Sequence, residues 1–392
     1  MSKVFVTDGR SRASLAIVRS LGHNNIQVVC GESFDCPAFY SKYCSHKYLY
    51  SPPNKNPDLF LESILKTVKE NNYDTIMPVR DDTTLLLSKN RSLFEDYFEI
   101  PITDYDKLMI GRDKSKTIKF ALANNIPCPQ TYFPSEMEDL LDLEADLSFP
   151  LVIKPHQGSG SRGIQIVNSY EELITRYDDV CCSFGPSMLQ EFIPYGGAYG
   201  VSMLLKEGEI KASFTHKRLR EYPQSGGPST LRESVEYPQI EKYASTLLKK
   251  LKWHGVAMVE FRIDARNNKP ILMEINPRFW GSLQLAISSG IDFPNMLYTL
   301  AVKGDVEPQF SYKVGVKSRW LLFGDILWYL KCENKIKQAP AFFSKEGAVF
   351  DICSRDDPLP IYGTIKYGAY KVLSKEWRSH VFNRGWGLSG NE

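Results

Sequence analysis

Three oxygen-bearing side chains lie in two short apolar segments near the middle of the chain. Glu260 belongs to the first segment, Glu274 and Asn276 belong to the second, and a run of turn-forming residues separates the segments. Because alternate residues of a strand share a face, Glu274 and Asn276 point the same way, and an antiparallel hairpin brings Glu260 roughly opposite them. Such oxygen ligands suit Mg²⁺, with Mn²⁺ as the alternative, usually shared with substrate phosphates.

An arginine follows the second segment. Arg278 stands two residues after Asn276, and its planar guanidinium suits a phosphate or a carboxylate. The alternative is a hairpin whose polar face lies in solvent, which is the usual explanation of a single carboxylate in a strand. Here three oxygen ligands, an arginine and apolar flanks coincide, and this combination favours a metal site beside an anionic group.

A glycine-rich loop separates two predicted strands, residues 151–153 and 164–167, and Lys154 ends the first of them. The loop contains small residues that we predict as phosphate contacts: Gly158, Ser159, Gly160, Ser161 and Gly163. Backbone N–H groups at the tip of such a hairpin, with a lysine at its base, can fold over a polyphosphate. The loop is not a Walker A motif, because no GKS or GKT sequence stands at a helix start. A mobile surface hairpin is the alternative.

A cationic run follows the strand predicted at residues 210–214. It contains His216, Lys217, Arg218 and Arg220, and a loop of glycines and small polar residues comes next. A cationic run is usually a solvated face. Its position between a strand and a glycine-rich loop favours a grip on an anionic substrate.

The composition is that of an ordinary globular protein. The chain has 392 residues, of which 43% are hydrophobic and 24% are charged, and this length can form two or three domains. A net charge of +2 predicts no nucleic-acid partner. The eight cysteines show no CxxC pair or zinc spacing, which favours reduced thiols. We find no secretory signal and no apolar run of the roughly 18–20 residues that span a bilayer, and we therefore expect a cytoplasmic protein.

The order of elements predicts a parallel sheet at the start of the chain. Strands at 3–7 and 27–30 flank a helix at 13–21, which is typical of a doubly wound α/β domain. The first loop is not GxGxxG, so a dinucleotide site has little support. From about residue 311 aromatic and basic residues cluster. For this segment we favour packing against the main body over contact with a membrane or a partner.

These stretches together resemble the ATP-grasp superfamily. The matching motifs occur in the expected order: a DK-led helix at 113, a KP sequence with the glycine hairpin, a QEFI strand, and the VEF…MEINPR hairpin. The branch that the chain is most similar to is the stand-alone carboxylate–amine ligases, often called carbamoyl-phosphate-synthase-like, because of the wording HKRLREYPQSGGPST.

The resemblance covers residues 1–310 and implies an α/β and α+β fold class. It divides the chain into a preATP-grasp parallel α/β domain at 1–108 and an ATP-grasp fold at 109–310, whose glycine-loop lid spans about 125–187. A small C-terminal extension of unknown role follows at 311–392 and carries no ATP-grasp motif.

The resemblance also implies roles for individual residues. Lys114 and Lys154 would contact the ATP phosphates, and the glycine loop would close over them. The hinge strand that holds adenine would consist of Gln190, Glu191, Phe192 and Ile193. One or two Mg²⁺ ions would be held by Glu260, Glu274 and Asn276, and Arg278 would steady the reacting phosphate. Many relatives carry an acidic ribose contact after the hinge, where this chain reads Gly197-Ala198-Tyr199.

The implied reaction is the ATP-dependent joining of a small-molecule carboxylate to an amine. The γ-phosphoryl group moves to the carboxylate, and an amine then displaces phosphate to give an amide or peptide bond. We predict that Arg218 and Arg220 hold the carboxylate of the acid. The alternatives are a non-catalytic ATP-binding module and carboxylation or carbamoyl-phosphate-type chemistry with bicarbonate. A homodimer is the default expectation for such an enzyme.

Overall fold

The structure is a computed structural model that describes residues 2–158, 162–223, 226–344 and 347–373. Within these ranges no helix has the length and apolar character needed to cross a membrane. The described residues form three sheets and the helices that cover them.

The first sheet is parallel, with strand order β3-β2-β1-β4. Its strands are β1 (Lys3–Val6), β2 (Gln27–Glu32), β3 (Cys44–Leu49) and β4 (Thr75–Met77). The helices of this unit are α1 (Arg12–His23), α2 (Pro57–Glu70) and α3 (Asp81–Lys89). Val4, Phe5 and Val6 are fully buried, as expected for a strand covered by helices on both faces. The predicted doubly wound unit is confirmed; β3 was missed because its sequence CSHKYL is largely polar.

A second, small sheet is antiparallel, with strand order β5-β8-β6-β7, and we call it the lid sheet. Its strands are β5 (Thr131–Tyr132), β6 (Leu151–Pro155), β7 (Gln165–Val167) and β8 (Ser187–Glu191). Helices α4 (Tyr105–Arg112) and α5 (Lys114–Ala123) precede it, and α6 (Glu138–Leu143) and α7 (Tyr170–Phe184) belong to it. Leu140, Ile153, Leu173 and Leu189 are buried together as a core of its own.

The third sheet is the largest, with strand order β13-β12-β9-β10-β11-β14-β15, and we call it the main sheet. Its first strands are β9 (Tyr195–Lys206), β10 (Glu209–Glu221), β11 (Ser229–Ser234), β12 (Gly255–Asp264) and β13 (Pro270–Asn276). Helices α8 (Pro238–Lys250), α9 (Leu283–Ser289) and α10 (Phe293–Lys303) cover it. One apolar core joins this sheet to the parallel sheet, because Val4 and Ile17 pack in the same cluster as Leu204, Phe214 and Trp280.

The C-terminal extension continues the main sheet. Strand β14 (Lys317–Arg319) pairs with β11, and β15 (Val349–Phe350) pairs in parallel with β14. Its helices are α11 (Ile326–Lys331), α12 (Lys335–Phe343) and α13 (Leu359–Leu373). Asp351 and Asp357 of the extension form ion pairs with Arg12 and Arg19 of α1. The described part of the extension therefore packs against the main body, as we expected.

Candidate functional site

A cleft of about 300 Å³ lies between the lid sheet and the main sheet. Most of the residues that we predicted for the site from the sequence line this cleft. Those on its wall are Lys114, Lys154, Gly158, Gln190, Glu191, Phe192, Ile193, Arg218, Glu260, Glu274, Asn276 and Arg278. Sequence positions far apart along the chain thus meet in one cavity.

The two carboxylates of the β12–β13 hairpin face each other. Glu260 pairs directly with Glu274 in the antiparallel register, and Met258 pairs with Asn276. The amide nitrogen of Asn276 donates to Oε1 of Glu260 at 3.1 Å and to Oε1 of Glu274 at 3.3 Å. Two carboxylate oxygens therefore converge on one point beside an amide, which is the arrangement that the sequence predicted.

The environments of the two carboxylates differ. Burial raises the pKa of Glu260, although Arg218 opposes this effect. Burial acts in the same direction on Glu274, but the positive charges of Lys114 and Lys154 outweigh it, and the pKa of Glu274 lies below its usual value. Glu274 is thus held as a carboxylate even though it is partly buried.

Two lysines face the acidic pair from the lid side. The ammonium of Lys114 donates to the carbonyl of Gly158 at 2.8 Å and lies 3.6 Å from Oε2 of Glu274. The ammonium of Lys154 donates to Oε1 of Gln190 and to the carbonyl of Met273, at 3.3 and 3.2 Å. Burial, together with repulsion from Lys114, lowers the pKa of Lys154 to about 8, and attraction to Glu274 only partly offsets this effect. An anionic ligand would relieve that buried charge.

The ends of the glycine loop are described, and its tip is not. Ser159, Gly160 and Ser161, which we predicted as phosphate contacts, lie outside the described residues. Gly158 is on the cleft wall, and Gly163 is not. Gly163 has a φ of +71°, and a Cβ there would lie 2.7 Å from the Phe184 ring, so packing and backbone conformation both require glycine.

The predicted hinge strand β8 enters the cleft at its carboxyl end. The side chain of Gln190 is buried and donates to Oγ1 of Thr131 at 3.1 Å. The carboxylate of Glu191 pairs with Arg266 at 2.5 Å, and the carbonyl of Ile193 accepts from Arg262 at 3.3 Å. These contacts fix the strand, and the roles that we predicted for it in adenine binding remain predictions.

Two arginines line the cleft beside the acidic pair. Arg218 binds the carboxylate of Glu260 and lies 3.5 Å from that of Glu221. Arg278 donates to Oδ1 of Asp81 at 2.9 Å and to Oδ1 of Asn276 at 3.2 Å. Asp81 lies inside the first turn of α3 and serves as the ion-pair partner of Arg278.

The structure corrects the prediction for Arg220. Strand β10 continues to Glu221, so the cationic run lies in a strand, and a register shift between Arg218 and Arg220 turns the second arginine away from the first. Arg220 lies 3.1 Å from the fully buried Asp325, with its guanidinium 4.3 Å from the Trp328 ring. Arg220 is not part of the cleft wall, on which Arg218 lies.

Several cleft residues were not predicted from the sequence. Arg12, Glu221, Arg262, Trp280 and Ser282 line the cleft together with His216, which we had noted only as part of the cationic run. Burial, aided by Arg218 and Arg232, lowers the pKa of His216 to about 3, so its ring is neutral at pH 7. Arg12 could have been suspected, because it starts the helix that follows β1, and ligands of open parallel sheets bind outside the carboxyl ends of the strands.

Parts of the chain are similar to known proteins. Residues 111–282 match the model of the ATP-grasp domain. The large chain of carbamoyl phosphate synthase from Thermotoga neapolitana is 24% identical over 230 residues, which are 56% of this chain and 20% of the synthase. The chain thus spans about a fifth of the length of that curated relative.

Solved structures share the fold. The ATP complex of biotin carboxylase from Campylobacter jejuni superposes with a TM-score of 0.68 at 18% identity, covering 81% of this chain and 74% of the carboxylase. The L-amino acid ligase from Bacillus licheniformis superposes with a TM-score of 0.61 at 19% identity, covering 78% of this chain and 75% of the ligase. At these identities the likeness concerns the fold.

Proposed function

The chain carries an ATP-grasp domain, and on that premise we propose that it is an ATP-dependent carboxylate–amine ligase. The observation that carries the proposal is the opposition of Glu260 and Glu274 beside Asn276, in the same cleft as Lys114 and Lys154. Oxygen ligands facing fixed ammonium groups are what a metal-bound polyphosphate requires. The names of the similar proteins, which include an amino acid ligase and an ATP complex, support it.

The acidic pair fits a divalent cation. Oε1 of Glu260 and Oε1 of Glu274 already converge on one amide nitrogen, and rotation of the Asn276 amide would present its oxygen to the same point. Mg²⁺ or Mn²⁺ held there would neutralise charge on the transferring phosphoryl group. Lys114 and Lys154 would bind phosphate oxygens on the lid side of the cleft.

The proposed role of Arg218 depends on whether Glu260 holds a metal ion. In the structure its guanidinium neutralises Glu260, which is otherwise a buried carboxylate. If Glu260 held a cation, Arg218 would lose this partner and would be available for the carboxylate of the acid substrate. Arg278 is held by Asp81 and would steady the acyl phosphate as it forms.

The second half of the reaction needs exclusion of water more than it needs a nucleophilic side chain. An acyl phosphate is hydrolysed by water, so the lid sheet and its glycine loop must close before the amine attacks. The amine then displaces phosphate directly. The reaction thus requires positioning and charge from the chain, which the lysines and arginines of the cleft supply.

The test is ADP release from ATP and Mg²⁺ against a panel of carboxylic acids and amines, each alone and in pairs. Release that requires both an acid and an amine is the expected result and defines the substrate class. Release that requires bicarbonate in place of the acid would establish carboxylation or carbamoyl-phosphate-type chemistry. Bound ATP with no release under any pairing would identify a binding module and overturn the proposal.

A further inference from the structure

An arginine from the first helix reaches the cleft and is held in a fixed orientation. Nη1 of Arg12 lies 2.5 Å from Oδ2 of Asp351, and the guanidinium stacks 3.9 Å from the Trp320 ring. Both partners belong to the C-terminal extension. Only 15% of the Arg12 side chain is exposed, and that side chain forms part of the cleft wall. Fixing a long side chain in one orientation costs rotamer entropy. Because Asp351 and Trp320 already hold Arg12 in place, a ligand would bind without this further loss of entropy.

The charge of Arg12 is not balanced where it lies. Asp351 also binds Arg232, whose side chain is fully buried, so two guanidinium groups share one carboxylate. Burial, with repulsion from Arg232, lowers the pKa of Arg12 to about 10, and Asp351 only partly offsets this. The arginine remains protonated at pH 7, and a buried cluster with surplus positive charge is stabilised by an incoming anion.

Polar side chains line the same cleft as Arg12, and some of their nitrogen atoms lack a partner in the described part of the chain. A Cβ at Gly281 would lie 2.8 Å from Nη2 of Arg12, so this nitrogen points along the cleft wall at Gly281. The indole Nε1 of Trp280 and Nδ1 of His216 are buried, and neither has a hydrogen-bond partner in the described part of the chain. Ser282 adds a hydroxyl 3.3 Å from Nε2 of His216. The Arg12 guanidinium and the Trp280 indole N–H can only donate, and the Ser282 hydroxyl can donate or accept, so this part of the wall offers donors to an anion.

The residues that we predicted to bind ATP do not include those around Arg12. Among the described residues on the cleft wall, seven are lysines or arginines and four are glutamates, so positive charge is in excess. The lysines predicted for phosphate lie on the lid side, around Gly158 and Glu274. The neighbours of Arg12 are Gly281, Trp320 and Asp351, none of which we predicted to contact nucleotide.

We propose that Arg12, with Trp280, His216 and Ser282, forms a second anion subsite that takes a carboxylate which is not itself activated. This inference rests on the proposed ligase function and names its substrate class. One substrate carries a free carboxylate in addition to the group that reacts. The carrier is either an amino acid that supplies the amine or a dicarboxylate that supplies the acid, and the two sources share the chemistry that Arg12 recognises.

The test is calorimetric binding to the full-length protein loaded with MgADP. The probes are glycine and β-alanine, each beside its amide, and succinate and glutarate, each beside its monoamide. We expect at least one carboxylate to bind about tenfold or more tightly than its amide, because a charge-assisted hydrogen bond is lost. Selectivity among the amino acids assigns the subsite to the amine substrate, and selectivity among the diacids assigns it to the acid.

The variant Arg12→Gln is expected to reduce that preference to within about twofold, while Arg12→Lys keeps part of it because the charge remains. Arg19→Gln is the matched control: it also removes a contact between α1 and the extension, through Asp357, but it does not line the cleft. Thermal unfolding of each variant checks that the fold is kept. A preference that survives Arg12→Gln, or equal binding of every acid and its amide, overturns the subsite.

Failure of the ligase proposal would look different. In that case MgADP and the carboxylate probes bind as expected, and Arg12→Gln removes the carboxylate preference, yet no pair of substrates releases ADP. The subsite would then stand without the ligase reaction.

Discussion

Nε of Arg278 donates a hydrogen bond of 2.9 Å to Oδ1 of Asp81, and this contact joins the end of the β12–β13 hairpin to helix α3 of the parallel-sheet unit. Arg278 follows the β12–β13 hairpin, whereas Asp81 begins α3. The orientation of a residue next to the acidic pair is therefore set by a carboxylate nearly two hundred positions earlier in the chain. Such a supporting contact limits the directions in which the guanidinium can point.

The first prediction concerns this contact. Asp81→Asn should lower kcat about tenfold and leave the KM for ATP little changed, because residues that orient a functional group typically contribute 10–100-fold. Asp82→Asn is the neighbouring control: its longer contacts with Arg10 and Arg80, at 3.8 and 3.5 Å, do not involve the cleft arginine. Steady-state ADP release measures both. Equal kcat values for the two variants would contradict a role for the Asp81–Arg278 pair.

The second prediction concerns the acidic pair. Glu274→Ala should abolish turnover and leave the fold largely intact, because the lost carboxylate is a predicted metal ligand and leaves Lys114 and Lys154 uncompensated. ADP release, circular dichroism and titration with Mn²⁺ are the measurements. Glu236→Ala, which removes an exposed carboxylate away from the cleft, should behave as the unmodified protein. Full activity of Glu274→Ala would refute the metal site.

The third prediction is a pH dependence that follows from Lys154. Its pKa is lowered to about 8 in the folded protein, so the ammonium loses its proton as the pH rises through that value. Nucleotide affinity should then fall, by up to about tenfold per pH unit above pH 8, and MgADP binding should take up a proton. Calorimetry of MgADP binding between pH 6.5 and 9.5 would measure the affinity. Repeating it in buffers of different ionisation enthalpy would measure the proton uptake.

The same shift has the opposite effect on the stability of the unliganded protein. Between pH 8 and the ordinary pKa of 10.5, the unfolded chain holds the Lys154 proton and the folded chain does not, so this lysine makes stability rise with pH there.

Lys154→Arg keeps its charge throughout this range and should remove the decline in affinity. A decline that persists in Lys154→Arg would assign the titration to another group.

The fourth prediction separates two arginines of one strand. Arg218→Gln should raise the KM of the acid substrate, because Arg218 is on the cleft wall. Arg220→Gln should leave that KM unchanged and lower the free energy of unfolding by about 1–3 kcal/mol, because Asp325 is fully buried and loses one partner. Arg319 still binds Asp325, which limits the loss. Denaturant unfolding and steady-state kinetics distinguish the two outcomes.

Local patterns were sufficient for the parts of the site that lie close together in the sequence. The β12–β13 hairpin has the apolar flanks and turn residues that set its register, and Glu260 is opposite Glu274 as expected. The parallel sheet and the ATP-grasp fold were likewise predicted. The domain limits at 108 and 310 and the roles of individual site residues remain predictions.

The other parts of the site depend on contacts between distant residues, which no local sequence pattern encodes. Alternation along a strand would put Arg218 and Arg220 on one face, and only the register shift between them separates the two. Arg12 and Asp351 lie at opposite ends of the chain, and their meeting requires the extension to fold back onto α1. Neither feature leaves a periodic signal in the sequence.

The division of the apolar interior decides how the molecule can move. The lid sheet buries Leu140, Ile153 and Leu189 among its own residues, so it can rotate about its connections without exposing that interior to water. The parallel sheet has no such independence, because Val4 shares its cluster with Leu204 of the main sheet. We therefore expect opening of the cleft to be a hinge motion of the lid alone, and we expect the two sheets of the base to unfold as one cooperative unit.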